Sequence, residues 1–226
     1  MAKDLESPDE LWPLRPRPCR GELFSSWLVR VARCYEMPIE TFSRAVWPAR
    51  EVWRGDIDRQ VDDEALRFLS AKTGVAYAEL FALTLRAHEQ YAGVAPGDES
   101  ARDLYFHYGR TDLGIRYCPG CLAGRPVYFR LEWRLAFMTV CARHRLPLLE
   151  RCGYCKAPCL FAKLEVHRQF GSCHRCHKHL STMGKDVSKD AALQMDLHLE
   201  FQQNMLTLLR KPPSTDVASL HRQPEV

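Results

Sequence analysis

Eight residues in the second half of the chain carry the clearest chemistry. They form four pairs, each with two residues between its members: Cys118-Pro-Gly-Cys121, Cys141-Ala-Arg-His144, Cys152-Gly-Tyr-Cys155 and Cys173-His-Arg-Cys176. A two-residue gap lets a tight turn set both donors on one edge of a tetrahedron. A second pair 19 or 17 residues further on supplies the opposite edge. This is the spacing of structural zinc ribbons and knuckles. Pro119, Gly120 and Gly153 suit the turns inside the pairs. The spacing therefore predicts two bound Zn2+ ions, against the alternative of buried free thiols.

The pairing is open at this level. Sequential pairing gives one site of three cysteines and a histidine, then one of four cysteines. A cross-braced order would join the first pair to the third and the second to the fourth. The seven residues between His144 and Cys152 permit either, and sequential pairing is preferred as the simpler topology. Cys159, His174, His177 and His179 complete no better set and read as spectators. Four good ligands per ion leave no open position for water, and neither HExxH nor a deaminase-like HxE precedes a CxxC. The metals read as structural, standing in for core that a loop-rich segment cannot build, and no catalytic residue is assigned.

The elements around these pairs are less sharply marked. The segment 126–134, PVYFRLEWR, alternates so that Phe129, Leu131 and Trp133 share one parity and Tyr128, Arg130, Glu132 and Arg134 the other. That predicts a strand with the three apolar residues turned inward. Ahead of it, after a Pro/Arg-rich lead, LFSSWLVRVARCYEMPIETFSRAVWP reads as two short helices. Ser25 or Ser26 caps the first, Trp27, Leu28, Val31 and Tyr35 form its buried face, and Pro38 sits in the first turn of the second. A second such pair follows, with acids 62–64 at one helix start, Leu66 and Leu69 packing, Gly74 at its end, and Leu80, Phe81 and Leu85 beyond. Two short helices on a tight link resemble a helix-turn-helix. Near the end, Leu193, Leu197, Phe201, Met205 and Leu208 repeat at helical spacing, a face that either packs back on the domain or docks a partner.

The expected fold is α+β: a helical, helix-turn-helix-like N-terminal domain, a tandem zinc-ribbon/zinc-finger module and a C-terminal helix. The expected boundaries are an extended lead at 1–20, the helical domain at 21–91, a linker at 92–104, the zinc module at 105–182, the helix at 186–211 and a disordered tail at 212–226.

Composition fits this picture. The chain has 226 residues, 46% hydrophobic and 27% charged, with a net charge of +4. Residues 110–180 hold 13 Lys and Arg against 4 Asp and Glu, a net +9, which falls to about +6 once thiolates and two dications are counted. A basic module favours a phosphate-bearing or acidic partner, or is simply a solubilising surface. Arg143, Arg145, Arg168, Arg175 and Lys178, close to the ligands, are the candidate nucleic-acid contacts. Trp12, Arg15, Arg17, Trp27 and Arg30, in the lead and first helix, are the candidate partner contacts. The start of the chain lacks an apolar core of the secretory kind, and no apolar run approaches the roughly 18 residues of a membrane helix. A soluble, cytoplasmic protein with ten cysteines is expected to use them as ligands and buried thiols rather than disulfides.

The order of these residues resembles one family. A GE-x-x-SSWL-x-R entry (Gly21, Glu22, Ser25, Ser26, Trp27, Leu28, Arg30) leads into short helices, then YCPGCL, YFRLEWR, VCARH, CGYC and a last CxxC. This resembles the TniQ family of transposon target-selection proteins, which includes the TnsD group, over about residues 14–180. The resemblance implies a non-catalytic adaptor between target recognition and an AAA+ ATPase of the TnsC type. It also implies DNA and guide RNA as partners where the recognition complex is an RNA-guided effector, with a homodimer as an allowed assembly. The chain is shorter than TnsD-type proteins after its last ligands, which favours the small adaptor over a sequence-specific reader. The rival is a stand-alone, zinc-containing helix-turn-helix regulator that binds DNA by itself.

Overall fold

A computed structural model describes residues 10–91, 114–182 and 189–210. The expected linker at 92–104 and tail at 212–226 lie outside them, as do 1–9 of the lead, 105–113 of the zinc module, and 186–188 and 211 of the last helix. The described architecture is mixed. Short helices α1 (Phe24–Cys34), α2 (Ile39–Ser43), α3 (Ile57–Gln60), α4 (Asp63–Thr73), α5 (Tyr77–Phe81) and α6 (Leu85–Tyr91) come first. They are followed by α7 (Pro119–Leu122), a two-stranded antiparallel sheet of β1 (Val140–Cys141) and β2 (Leu146–Pro147), and α8 (Lys189–Arg210).

The helix α1 is buried almost all round. Trp27, Leu28, Val31 and Tyr35 face the core as their spacing predicts, and Phe24, Val29 and Ala32 are buried with them. Its start differs from expectation. Leu23 is the N-cap and has no capping side chain, while Ser25 and Ser26 lie inside the first turn. The turn's free N–H groups are met from outside the helix. Phe24 N–H donates to Leu83 O at 2.9 Å, and Ser25 N–H donates to Asp58 Oδ1 at 2.8 Å. A distant carboxylate thus does the work of a local cap, and also meets the positive end of the helix dipole.

The end of α1 closes by a Schellman pattern: Met37 N–H to Ala32 O and Glu36 N–H to Arg33 O, with Glu36 itself left-handed. Four residues separate the end of α1 from the start of α2. The acidic start and glycine end predicted for α4 are both present. Asp62 caps through Ala65 N–H at 2.8 Å, and Gly74 is left-handed at φ 67°.

The segment 126–134 forms no strand, contrary to the reading of its alternation. One bridge joins Arg130 to Glu22, after which Leu131–Arg134 turns as a 3₁₀ helix. Phe129, Leu131 and Trp133 are buried as expected, but so is Arg134, which the alternation put outside. The turn occurs because Arg134 is drawn inward to two aspartates of the helical half. The same segment ties the halves by backbone: Leu23 N–H to Phe129 O at 2.9 Å and Leu131 N–H to Gly21 O at 3.0 Å. One buried cluster runs from Trp12 through Trp27 and Phe129 to Cys173 and Leu180.

The helix α8 packs by a different face from the one its spacing suggested. Leu197, Phe201 and Leu208 are 63%, 54% and 60% exposed, while Met195 and Gln202 are buried and Leu206 lies against the core. Gln202 explains the choice. Its Oε1 accepts Thr139 N–H at 2.6 Å and Val140 N–H at 2.9 Å, and its Nε2 donates to Val140 O at 3.1 Å. One amide thus pairs with both backbone groups of Val140, which would otherwise be buried and unsatisfied, and reaches Thr139 beside it. The contact side of α8 is chosen by a polar residue that a hydrophobic pattern passes over.

Candidate metal centres and the joint that holds them

Three of the four ligand pairs sit at the tips of hairpins. Val140↔Pro147 encloses Cys141 and His144, Arg151↔Pro158 encloses Cys152 and Cys155, and Ser172↔His179 encloses Cys173 and Cys176. Each tip closes with the same backbone bond, from the N–H after the second ligand to the O of the first: Arg145 to Cys141, Lys156 to Cys152 and His177 to Cys173, at 2.7 to 2.9 Å. Arg145, Lys156 and His177 all have positive φ, which that turn demands. The remaining pair is set by α7 instead, with Cys118 as its N-cap, Pro119 at its first position and Cys121 within its single turn. Gly120 is required there, because a Cβ would come within 2.7 Å of the His144 ring.

The structure groups the eight residues sequentially. Cys118, Cys121, Cys141 and His144 form one cluster and Cys152, Cys155, Cys173 and Cys176 the other, with all donor atoms of a cluster within 4.8 Å of one another. In the first, His144 offers Nδ1, 3.3 to 3.7 Å from the three sulfurs. In the second, Cys152 Sγ is 3.6 Å from Cys176 Sγ, and Cys155 Sγ 3.6 Å from Cys173 Sγ. A tetrahedral ion with metal–sulfur bonds of about 2.3 Å has ligand–ligand edges of about 3.8 Å. The donor sets therefore fit a tetrahedral, thiophilic divalent cation, as zinc is. Both sets are closed by protein, so such an ion would hold the hairpins together and offer no position to a reacting water. Cys159 is buried outside both clusters, and burial pushes its thiol well above the ordinary range. His174, His177 and His179 are likewise outside them.

The entry motif forms a second, unforeseen centre of organisation. Glu22 is fully buried and accepts from Cys19 N–H at 2.9 Å, Ser26 Oγ at 2.9 Å and Arg30 Nη1 at 2.6 Å. Burial pushes its carboxyl up, and Arg30 with the other donors pulls it back. Ser26 Oγ also accepts Phe129 N–H at 3.0 Å, linking this network to the metal-binding half. Beside it, Asp58 accepts from Ser25 Oγ at 3.0 Å and from Arg134 Nη1 at 2.8 Å, while Arg134 Nη2 donates to Asp56 at 2.6 Å. Burial pushes Asp58 up to about 6 against the pull of Arg134.

These contacts settle where the candidate partner residues lie. Trp12 and Trp27 have no exposed surface and lie in the core of the folded chain. Trp12 packs edge-on against Tyr35, Phe42 and Phe68, and Trp27 Nε1 donates to Pro16 O at 2.9 Å. Arg30 is turned inward to Glu22. Arg15 and Arg17 are exposed, the first donating to Trp12 O at 2.7 Å and the second 3.9 Å from Glu79.

The candidate nucleic-acid contacts are all exposed but lie at separate places. Arg143 and Arg145 are on the β1–β2 hairpin, where Arg145 pairs with Asp196 of α8. Arg175 and Lys178 are on the last hairpin, with Lys178 Nζ 4.1 Å from the centre of the Tyr154 ring. Arg168 is on another loop, paired with Glu165 at 3.2 Å. The residues that sequence reasoning missed are Glu22, Asp56, Asp58, Arg134 and Gln202. The available signal was a charged or amide residue inside an apolar motif, which implies an unseen buried partner.

No helix among the described residues is long and apolar enough to cross a membrane. No curated protein matches the chain. The TniQ family model matches residues 13–148, which runs from the lead through the helical half, the joint at Phe129–Arg134 and the first ligand cluster. With more than half its length inside that match, the chain belongs to the TniQ family, whose function is target selection in transposition.

Proposed function

We propose that this chain is a non-catalytic adaptor that joins a target-recognition complex to an AAA+ regulator of the TnsC type. An RNA-guided effector, with its DNA and guide RNA, is one such complex. Family membership over residues 13–148 carries the proposal. Three physical features support it. Both metal sets are closed, so zinc there would be scaffold. The buried joint at Glu22, Asp58 and Arg134 gives a stiff body suited to holding two partners at a fixed distance. The helix α8 keeps Leu197, Phe201 and Leu208 exposed along one side, apolar surface of the kind that marks protein contact.

The rival DNA-binding regulator needs a helix that enters the major groove. The second helices of the two hairpin-like pairs, α2 and α5, have five residues each, about 7.5 Å of helix at 1.5 Å per residue. That length favours the adaptor.

The test is co-sedimentation of the zinc-loaded chain with the AAA+ regulator, ATP and duplex DNA, against a tube without the regulator. Recruitment that requires the regulator is the expected result. Equal sedimentation with duplex DNA alone would favour the stand-alone regulator and overturn the adaptor.

A further inference from the structure

A cleft of about 440 Å³ opens between α1 and two segments of the metal-binding half, 125–127 and 169–170. Its size falls within the roughly 300–1,000 Å³ typical of small-ligand sites. Two kinds of side chain line it. Arg30, Arg33 and Arg125 supply charge, and Pro126, Val127 and Phe170 supply apolar wall, while no carboxylate lines it.

The three arginines differ in what they have left to give. Arg30 is neutralised by Glu22. Arg33 donates to the backbone carbonyls of Glu165 and Arg168, which leaves its charge uncompensated, and its guanidinium carbon sits 5.6 Å from the centre of the Phe170 ring. Arg125 is exposed and forms no ion pair with the described residues. A planar cation beside an aromatic ring is a stacking platform for a third flat group. Arginine suits it better than lysine, because its plane stacks while its edge holds phosphate. Basic residues continue beyond the cleft on both sides. Arg15 and Arg17 flank Pro16, which also lines it, and Arg168 precedes Gln169 at its rim, Arg17 and Arg168 keeping exposed pairs with Glu79 and Glu165 that a phosphate can displace. A run of cations through a cleft with one flat platform suits a polyanion carrying rings, more than the single carboxylate of an acidic peptide.

We propose that this cleft holds one unstacked nucleotide of single-stranded DNA, with the base against Phe170 and Arg33 and the backbone along Arg125. A duplex cannot present a base to a cleft of this size without opening. The apolar wall favours deoxyribose, because a 2′-hydroxyl placed against Pro126 and Val127 would lose its water without gaining a partner.

The test uses the full zinc-loaded chain without the AAA+ regulator, so its outcome is read separately from that of the adaptor. Binding of a fluorescein-labelled 15-nucleotide single-stranded DNA is followed by anisotropy, beside RNA of the same sequence and the duplex. Single-stranded DNA is expected to bind tightest and to weaken with salt, with a log–log slope of about −0.7 per phosphate held. R125E, at an exposed position, is expected to weaken binding about tenfold with the melting temperature unchanged. Cys34 lines the cleft and is exposed, so alkylation by iodoacetamide, mapped by mass spectrometry, reports occupancy without any substitution. Bound single-stranded DNA should slow it. RNA or duplex binding as tight as single-stranded DNA would overturn the proposal, as would binding indifferent to R125E or Cys34 alkylation unchanged by DNA. Protection of Cys34 by polyglutamate and not by DNA would assign the cleft to an acidic protein segment, and would overturn it too.

Discussion

Arg134 and Asp58, 76 residues apart in sequence, meet with Nη1 2.8 Å from Oδ2, and neither side chain has any exposure to solvent. Asp56 takes the other end of the same guanidinium. A charged pair this deep loses much of its hydration, and what it gains by attraction depends on every donor and acceptor being met. Here they are: Asp58 also accepts two bonds from Ser25, at the start of α1. The pair therefore fixes three things at once, namely the start of α1, the position of α3 and the turn at Leu131–Arg134.

Removing one partner leaves the other buried and alone. Arg134→Met should cost about 3–5 kcal/mol in chemical denaturation of the zinc-loaded chain. Combining it with Asp58→Asn should recover part of that loss, since the stranded charge is gone. A single substitution within 1 kcal/mol of the parent would show that the two halves do not depend on this joint.

The same pair gives a pH signature. The folded chain holds Asp58 near 6, above the ordinary carboxylate value of about 4. Between those values the folded state binds a proton that the unfolded chain does not, so this group's contribution to stability falls as pH rises through 6. From pH 5.5 to 7.5, where the contribution is nearly spent, the parent should lose on the order of 1 kcal/mol relative to Asp58→Asn. Parallel profiles for the two proteins would place the Asp58 carboxyl back in the ordinary range.

The ligand clusters predict stoichiometry. Elemental analysis of the purified chain should find two zinc ions, and Cys118→Ser or Cys173→Ser should each lose one. Because metal binding here is folding energy, each loss should also unfold the hairpins around it, seen as hydrogen exchange at the affected tip. Retention of two ions by either variant would mean that the ligand set is wrong.

Spacing made the metal clusters legible, because ligand geometry is local: two residues between donors and one turn at each tip. The buried face of α1 was legible for a similar reason, since Trp27, Leu28 and Val31 recur at helical period. What sequence reading lost was decided at long range. Ser25 looked like a cap, but its amide is met by Asp58, 33 residues on. The alternation in 126–134 looked like a strand until Arg134 had somewhere to go inside. Trp12 and Trp27 carry no mark that separates a docking aromatic from a core one, and only packing decides it. Periodicity weighs apolar residues, so it ranks the wrong side of α8.

That last error yields a further prediction, because the buried contact of α8 with β1 runs through one polar side chain, while Thr139–His198 and Arg145–Asp196 meet at its exposed rim. Gln202 exchanges four hydrogen bonds with Thr139 and Val140, three of them to backbone groups, and no apolar residue could replace them. Gln202→Leu keeps size and adds hydrophobicity, yet should destabilise the docked helix by about 1–3 kcal/mol through the backbone groups left unmet. Gln202→Glu keeps the acceptor bonds and loses the donor, so it should fall between. Amide exchange at Val140 and protease cleavage within α8 should both rise in the order parent, glutamate, leucine. If leucine proved the most protected, apolar packing would hold α8 in place, and the pattern of Leu197, Phe201 and Leu208 would have to be explained as a core face after all.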